Sequence, residues 1–154
     1  MPKDLWNFAL ALYARPGVEE ACLRGQEAGK NVCLLLCGAW LERRQIACQT
    51  ERVTALRNLA EPWQEQVVLP LRQLRLRWRE AAQDDQALAQ LREQVKQLEL
   101  AAEHEQLQRL AACSRHWPSA VPGNALSWLD SLAPPSCERA ALQLLRSAAT
   151  GLAI

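Results

Sequence analysis

From Ala87 to Arg115 the chain contains neither proline nor glycine, and this stretch restricts the fold more than any other. Leu88, Leu91, Val95, Leu98, Ala102, Leu107 and Leu110 recur within it at close to helical spacing, which predicts one long helix with a coiled-coil-like apolar seam. A rod of that kind cannot bury its seam alone, so a second rod must lie against it.

The preceding segment supplies that second rod. Its stretch LRLRWR, Leu74 to Arg79, alternates apolar and charged residues as a half-buried β-strand would. The surroundings argue for a helix instead: from Glu61 to Gln83 the β-branched residues are limited to Val67 and Val68, and no hairpin turn such as Asn-Gly flanks the run. In helical projection Val67, Leu71, Leu74 and Trp78 share one face, while Arg72, Arg75 and Arg79 form an adjacent stripe. Pro70 predicts a kink or short break near Val68 to Leu69. Gln83-Asp84-Asp85-Gln86 suits a tight connection with Asp84 or Asp85 as a cap. The expectation is an antiparallel hairpin over about residues 62–82 and 85–115.

Six shorter segments complete the reading. Asp4 caps an amphipathic helix to Ala14, Arg15-Pro16-Gly17 turns the chain, and a second helix runs from about Val18 to Glu27. Asn31 caps a buried helix from Val32 to about Ala47, and Thr50 starts another that ends near Ala60, with Pro62 opening the arginine rod. After the long helix, Asn124 caps a short helix to Leu132, and a last one runs from Cys137 to about Ala149. The whole chain, residues 1–154, therefore reads as a single all-α domain, a bundle of about seven helices. No repeat or low-complexity linker divides it.

Charge and cysteine usage narrow the class. Eighteen basic and seventeen acidic residues leave a net charge of +1, so no global field recruits nucleic acid or an anionic membrane. The most apolar stretch, VCLLLCGAWL, is too short to span a bilayer, and the N-terminus lacks the pattern of a signal peptide. Cys22, Cys33, Cys37, Cys48, Cys113 and Cys137 lie in apolar helical pattern, which fits reduced thiols of a cytoplasmic protein.

Motifs that carry chemistry are sparse. HEQLQ at His104 lacks the second histidine of a helical zinc protease, and the glycines stand one at a time rather than in a phosphate-cradling loop. Cys33, Cys37, Cys113 and His116 have the residue types of a Cys3His site, but Cys33 and Cys37 sit in the most apolar helix, which favours buried thiols. No catalytic, cofactor or metal residues are therefore assigned. The arginine stripe is the stronger feature: Arg72, Arg75, Arg77 and Arg79 stand against Glu80 alone, with Trp78 among them as a stacking platform. Across the hairpin, six acids against Arg92 and Lys96 in Gln83 to Glu105 offer exposed ion pairs, Arg75 with Glu93 first among them. Of six tryptophans, Trp6, Trp40 and Trp78 fall on apolar faces and read as core; Trp63, Trp117 and Trp128 read as exposed anchors.

LWNFALALYARPGVEEACL, NVCLLLCGAWL and PWQEQVVLPLRQLRLRWR together resemble an uncharacterised family of small helical proteins from proteobacteria, described only as a domain of unknown function. The resemblance implies a cytoplasmic bacterial protein with one helical domain and supplies no catalytic residues. The expected function is that of a non-enzymatic adaptor or regulator binding another protein. Its candidate surface is Arg72, Arg75, Trp78 and Arg79, the turn with Tyr13 and Arg15, and the flanking Trp63 and Trp117. The alternatives are a nucleic-acid-binding module using the arginine helix, and a bundle that holds a small ligand beside the Cys33 helix. The apolar seam can also close between two chains, which would give a homodimer.

Overall fold

The computed structural model describes residues 4–27, 30–119, 127–133 and 139–152. They form an all-α architecture: α1 (Leu5–Tyr13), α2 (Val18–Glu27), α3 (Val32–Arg43), α4 (Thr50–Trp63), α5 (Leu69–Arg77), α6 (Gln86–Cys113), α7 (Trp128–Leu132) and α8 (Arg139–Thr150). A π-helical turn, Gln64–Val68, joins α4 to α5 without interruption, so these segments make seven rods. No strand occurs among the described residues, only an isolated bridge between Ile46 and Ser119. No described helix is long and apolar enough to cross a membrane.

α3 is the hub. Every residue from Val32 to Leu41 is buried, because α1, α2, α4, α6, α7 and α8 all pack against it. Gly38 lets α7 come close: a Cβ there would meet Leu132 Cδ1 at 3.1 Å and Leu129 Cδ2 at 3.6 Å. The caps follow the sequence, with Asp4 accepting from the Asn7 N–H at 2.8 Å, Asn31 from Leu34 at 3.3 Å and Asp85 from Leu88 at 3.1 Å. Arg44 ends α3 earlier than the expected Ala47. Gln45 adopts φ 58°, and the N–H groups of Gln45 and Ile46 return to the carbonyls of Glu42 and Leu41. This is a Schellman ending that carries glutamine where glycine is the usual residue. Gln45→Gly should therefore raise the unfolding free energy by about 1 kcal/mol in urea denaturation.

The hairpin is longer than the sequence suggested. Its first rod starts at Thr50, not near Pro62, since Pro62 lies inside α4 and only forgoes one backbone donor. The break expected near Val68 is present as the π turn: Pro70 has no N–H for Gln66, and the Leu69 N–H reaches back five residues to the Gln64 carbonyl. The connection comprises Trp78 to Glu80, a short 3-10 turn at Ala81–Gln83 and Asp84. Among the described elements α5 packs only on α6 and the π turn, so α5 and the first half of α6 form an arm standing off the bundle.

The seam differs from the leucine stripe. Leu91 and Leu98 are 50% and 57% exposed, whereas Val95, Glu99, Ala102, Gln106 and Leu110 are buried. The buried polar members have partners. Gln106 donates to Gln64 Oε1 at 2.9 Å and accepts from Asn31 Nδ2 at 2.9 Å, tying α6 to the π turn and to the start of α3.

Ser127 caps the short helix that begins at Trp128, its Oγ accepting from the Asp130 N–H at 3.3 Å. Asn124 and Cys137 lie outside the described residues. Glu42 fixes this end of the molecule, accepting from Ser127 Oγ at 2.6 Å, the Leu129 N–H at 3.0 Å and Arg146 Nε at 3.1 Å.

Candidate functional site

Arg72 and Arg75 of α5 meet α6 inside the arm, whereas Arg77 is exposed. Helical side chains lean toward their own N-terminus, so across an antiparallel pair an arginine of α5 reaches acids later in α6 than its backbone register suggests. Arg92 Nε donates to the Arg75 carbonyl at 2.9 Å, which marks the register, and the Arg75 guanidinium binds Glu99 through Nε and Nη2. The expected Arg75 partner, Glu93, is exposed and accepts from Gln97 instead. Arg72 Nε donates to the second oxygen of Glu99 at 2.9 Å, and its Nη2 lies 3.7 Å from Glu103.

Nor are these surface pairs. Arg72 is 6% exposed and Glu99 is 4% exposed. Burial raises the Glu99 carboxyl, but hydrogen bonds from Arg75 and Arg72 more than offset it and hold the group below the ordinary carboxylate range. Glu103 is raised, chiefly by burial, with Arg72 opposing. Tyr13 stands behind this acid; burial, then Cys22 and Glu103, push its hydroxyl upward. Burial also raises the Cys22 thiol to about 11 and that of Cys33 well above its usual value, so both are neutral thiols and poor nucleophiles at neutral pH. Cys33, Cys37 and Cys113 do not gather with His116: among the described residues no three His, Cys, Asp or Glu side chains form a metal cluster.

Between α2 and the arm lies an open groove of about 470 Å³, lined by Arg72, Arg75, Arg79 and Arg92 together with Leu23, Gln26 and Leu76. Among the described residues no carboxylate lines it, and Arg72 Nη1, buried, has no hydrogen-bond partner. Three of the sequence-stripe arginines thus converge, and Arg92 joins them from α6.

The other candidate residues lie elsewhere and already have contacts within the fold. Arg15 Nη2 donates to the Gly151 carbonyl and ties the first turn to the end of α8. Trp63 Nε1 donates to the Ala102 carbonyl at 2.8 Å, with Arg109 over its ring. Trp117 stacks on Trp128 with ring centroids 5.8 Å apart, and Arg52 lies over it. Trp78 is half-buried at the end of α5, and Trp6 is half-buried too, so neither is the core residue expected; Trp40 is. Trp128, expected as an exposed anchor, is 1% exposed and donates to the Ile46 carbonyl at 2.7 Å.

The family model described as "Protein of unknown function (DUF2390)" matches residues 4–110. The chain belongs to the DUF2390 family. The match takes in α1 through most of α6, and so includes every residue lining the groove; α7 and α8 lie beyond it. Neither the curated proteins nor the solved structures provide a match to this DUF2390 protein.

Proposed function

We propose that this DUF2390 protein is a non-enzymatic binding module, an adaptor or regulator that receives an acidic, leucine-bearing segment of another protein in the groove between α2 and the arm. Arg72 carries the reading. It lines the groove, its Nη1 has no acceptor, and among the described residues no carboxylate shares the lining. A buried donor left unpaired costs about 1–3 kcal/mol, and an arriving carboxylate would supply the missing acceptor.

The rest of the groove favours protein over nucleic acid. Leu23 and Leu76, each about half exposed, flank the cations and offer apolar contact to a neighbouring side chain of the same segment. Past the groove the arm carries the exposed acids Glu80, Asp84 and Asp85, which would repel an extended phosphate backbone.

The test is fluorescence anisotropy with a labelled peptide alternating Glu and Leu, run beside a single-stranded oligonucleotide of equal charge. Saturable peptide binding that weakens with added salt is expected. Arg79 is exposed and holds no ion pair among the described residues, so Arg79→Glu leaves the fold intact and should weaken the peptide by roughly 5- to 10-fold. Tighter binding of the oligonucleotide would replace this reading with the nucleic-acid one. Absence of binding by both would end it.

A further inference from the structure

A second recess lies away from the arm, where the start of α1, the end of α3 and the last third of α6 leave a cleft of about 420 Å³. That volume is within the usual range for a small-molecule site, roughly 300–1,000 Å³. One wall is a stacked pair, Trp6 on His104, with ring centroids 4.1 Å apart and planes 24° apart. Another is Trp40, whose ring carries the Arg44 guanidinium 4.5 Å from its centroid. Arg115 stands at the mouth.

Trp40 is the unexplained part. It is 3% exposed, yet its Nε1–H has no acceptor, whereas Trp63 and Trp128 each donate to a backbone carbonyl. An indole N–H normally finds a partner when buried. The carboxylate that lines the cleft, Asp4, is already engaged: both of its oxygens accept from Asn7 at the cap of α1. Among the described residues two guanidinium groups therefore face the cleft against the single carboxylate of Asp4, next to one unpaired donor and a flat aromatic wall.

We propose that this cleft binds a small planar carboxylate, one oxygen accepting from Trp40 Nε1–H, the other pairing with Arg44, and the ring lying along Trp6 and His104. The site is independent of the arginine groove: the two share no lining residue. An aromatic acid fits better than a bare inorganic anion, because the stacked wall contributes only to a ligand with a flat face.

The experiment is a titration of the full-length protein, labelled with 15N at tryptophan, by indole-3-carboxylate and, separately, by its neutral amide. The acid should move the Trp40 indole N–H resonance saturably and leave those of Trp63 and Trp128 in place. Trp40→Phe keeps the aromatic surface but removes the donor, and should weaken the acid about 10-fold, read from the Trp6 resonance. Arg44→Gln, at the rim and outside the core, should do the same. No saturable shift at Trp40 up to about 10 mM, the upper end of fragment affinities, would overturn the proposal. So would equal binding of the amide, or unchanged affinity in Arg44→Gln.

Discussion

Glu99→Gln should lower the unfolding free energy by about 3–5 kcal/mol, because it leaves the Arg72 guanidinium inside the arm without its main counter-charge. Arg75 has 21% of its side chain exposed and can turn toward water, whereas Arg72, with 8%, has little room to do so. Glu103, 3.7 Å from Arg72, is the remaining acid, and burial already disfavours its charged form. The loss would be a fifth or more of a typical domain's total of about 5–15 kcal/mol. Urea denaturation measures it. A change under ~1 kcal/mol would mean the pair behaves as an ordinary surface contact.

The same carboxylate gives the pH dependence its sign. Its folded-state pKa lies below the ordinary value of 4.5, so the unfolded chain takes up its proton first as pH falls. The stabilisation is complete above that ordinary value and is lost as pH drops through the folded one. Glu42 acts in the same direction: burial raises it, and the hydrogen bonds from Arg146, Leu129 and Ser127 outweigh that. Glu103 opposes both, since its raised pKa makes the folded chain take up that proton more readily. The wild-type protein should lose stability below about pH 4.5, and Glu99→Gln should show a shallower acid slope.

Trp128→Ala is the second large effect, about 3–5 kcal/mol. The indole is 1% exposed, stacks on Trp117, and satisfies the Ile46 carbonyl as the chain leaves α3. Truncation empties the contact between α3 and α7 and strands that carbonyl together. Trp128→Phe retains most of the ring volume and should cost roughly 1–2 kcal/mol, the part due chiefly to the hydrogen bond. Had Trp128 been the exposed anchor expected from the sequence, truncation would shift stability by no more than about 0.5 kcal/mol.

These residues also mark what the sequence discloses. Caps and periodicity act locally, so Asp4, Asn31 and Asp85 could be read as helix starts, and the run from Val32 to Leu41 as the buried hub. The facing side of α6 was harder. Leu88, Leu91, Val95 and Leu98 keep helical spacing, but so do Leu88, Arg92, Val95, Glu99, Ala102 and Gln106. Apolarity alone chooses the leucines, whereas the fold turns the second set inward because Arg72, Arg75 and Gln64 on the opposite rod supply partners. An arginine and a glutamate repeating at seam positions was the available signal for Arg92 and Glu99. Trp128 left no such local mark, since its burial comes from Gly38 admitting α7 against α3, a contact between segments far apart in the chain.

A buried ion pair is a poor way to stabilise an arm, since well-packed apolar residues of similar size do as well or better. Its presence fits the proposal that Arg72 is held charged at the groove for a partner's carboxylate. The most direct measurement is therefore a double-mutant cycle in urea with Arg72→Met, Glu99→Met and the pair combined. Each single change should cost about 3–5 kcal/mol, and the double variant should return to within ~1 kcal/mol of the parent while losing the acidic peptide. Additive losses in the double variant, or peptide binding retained once Arg72 is gone, would contradict the account.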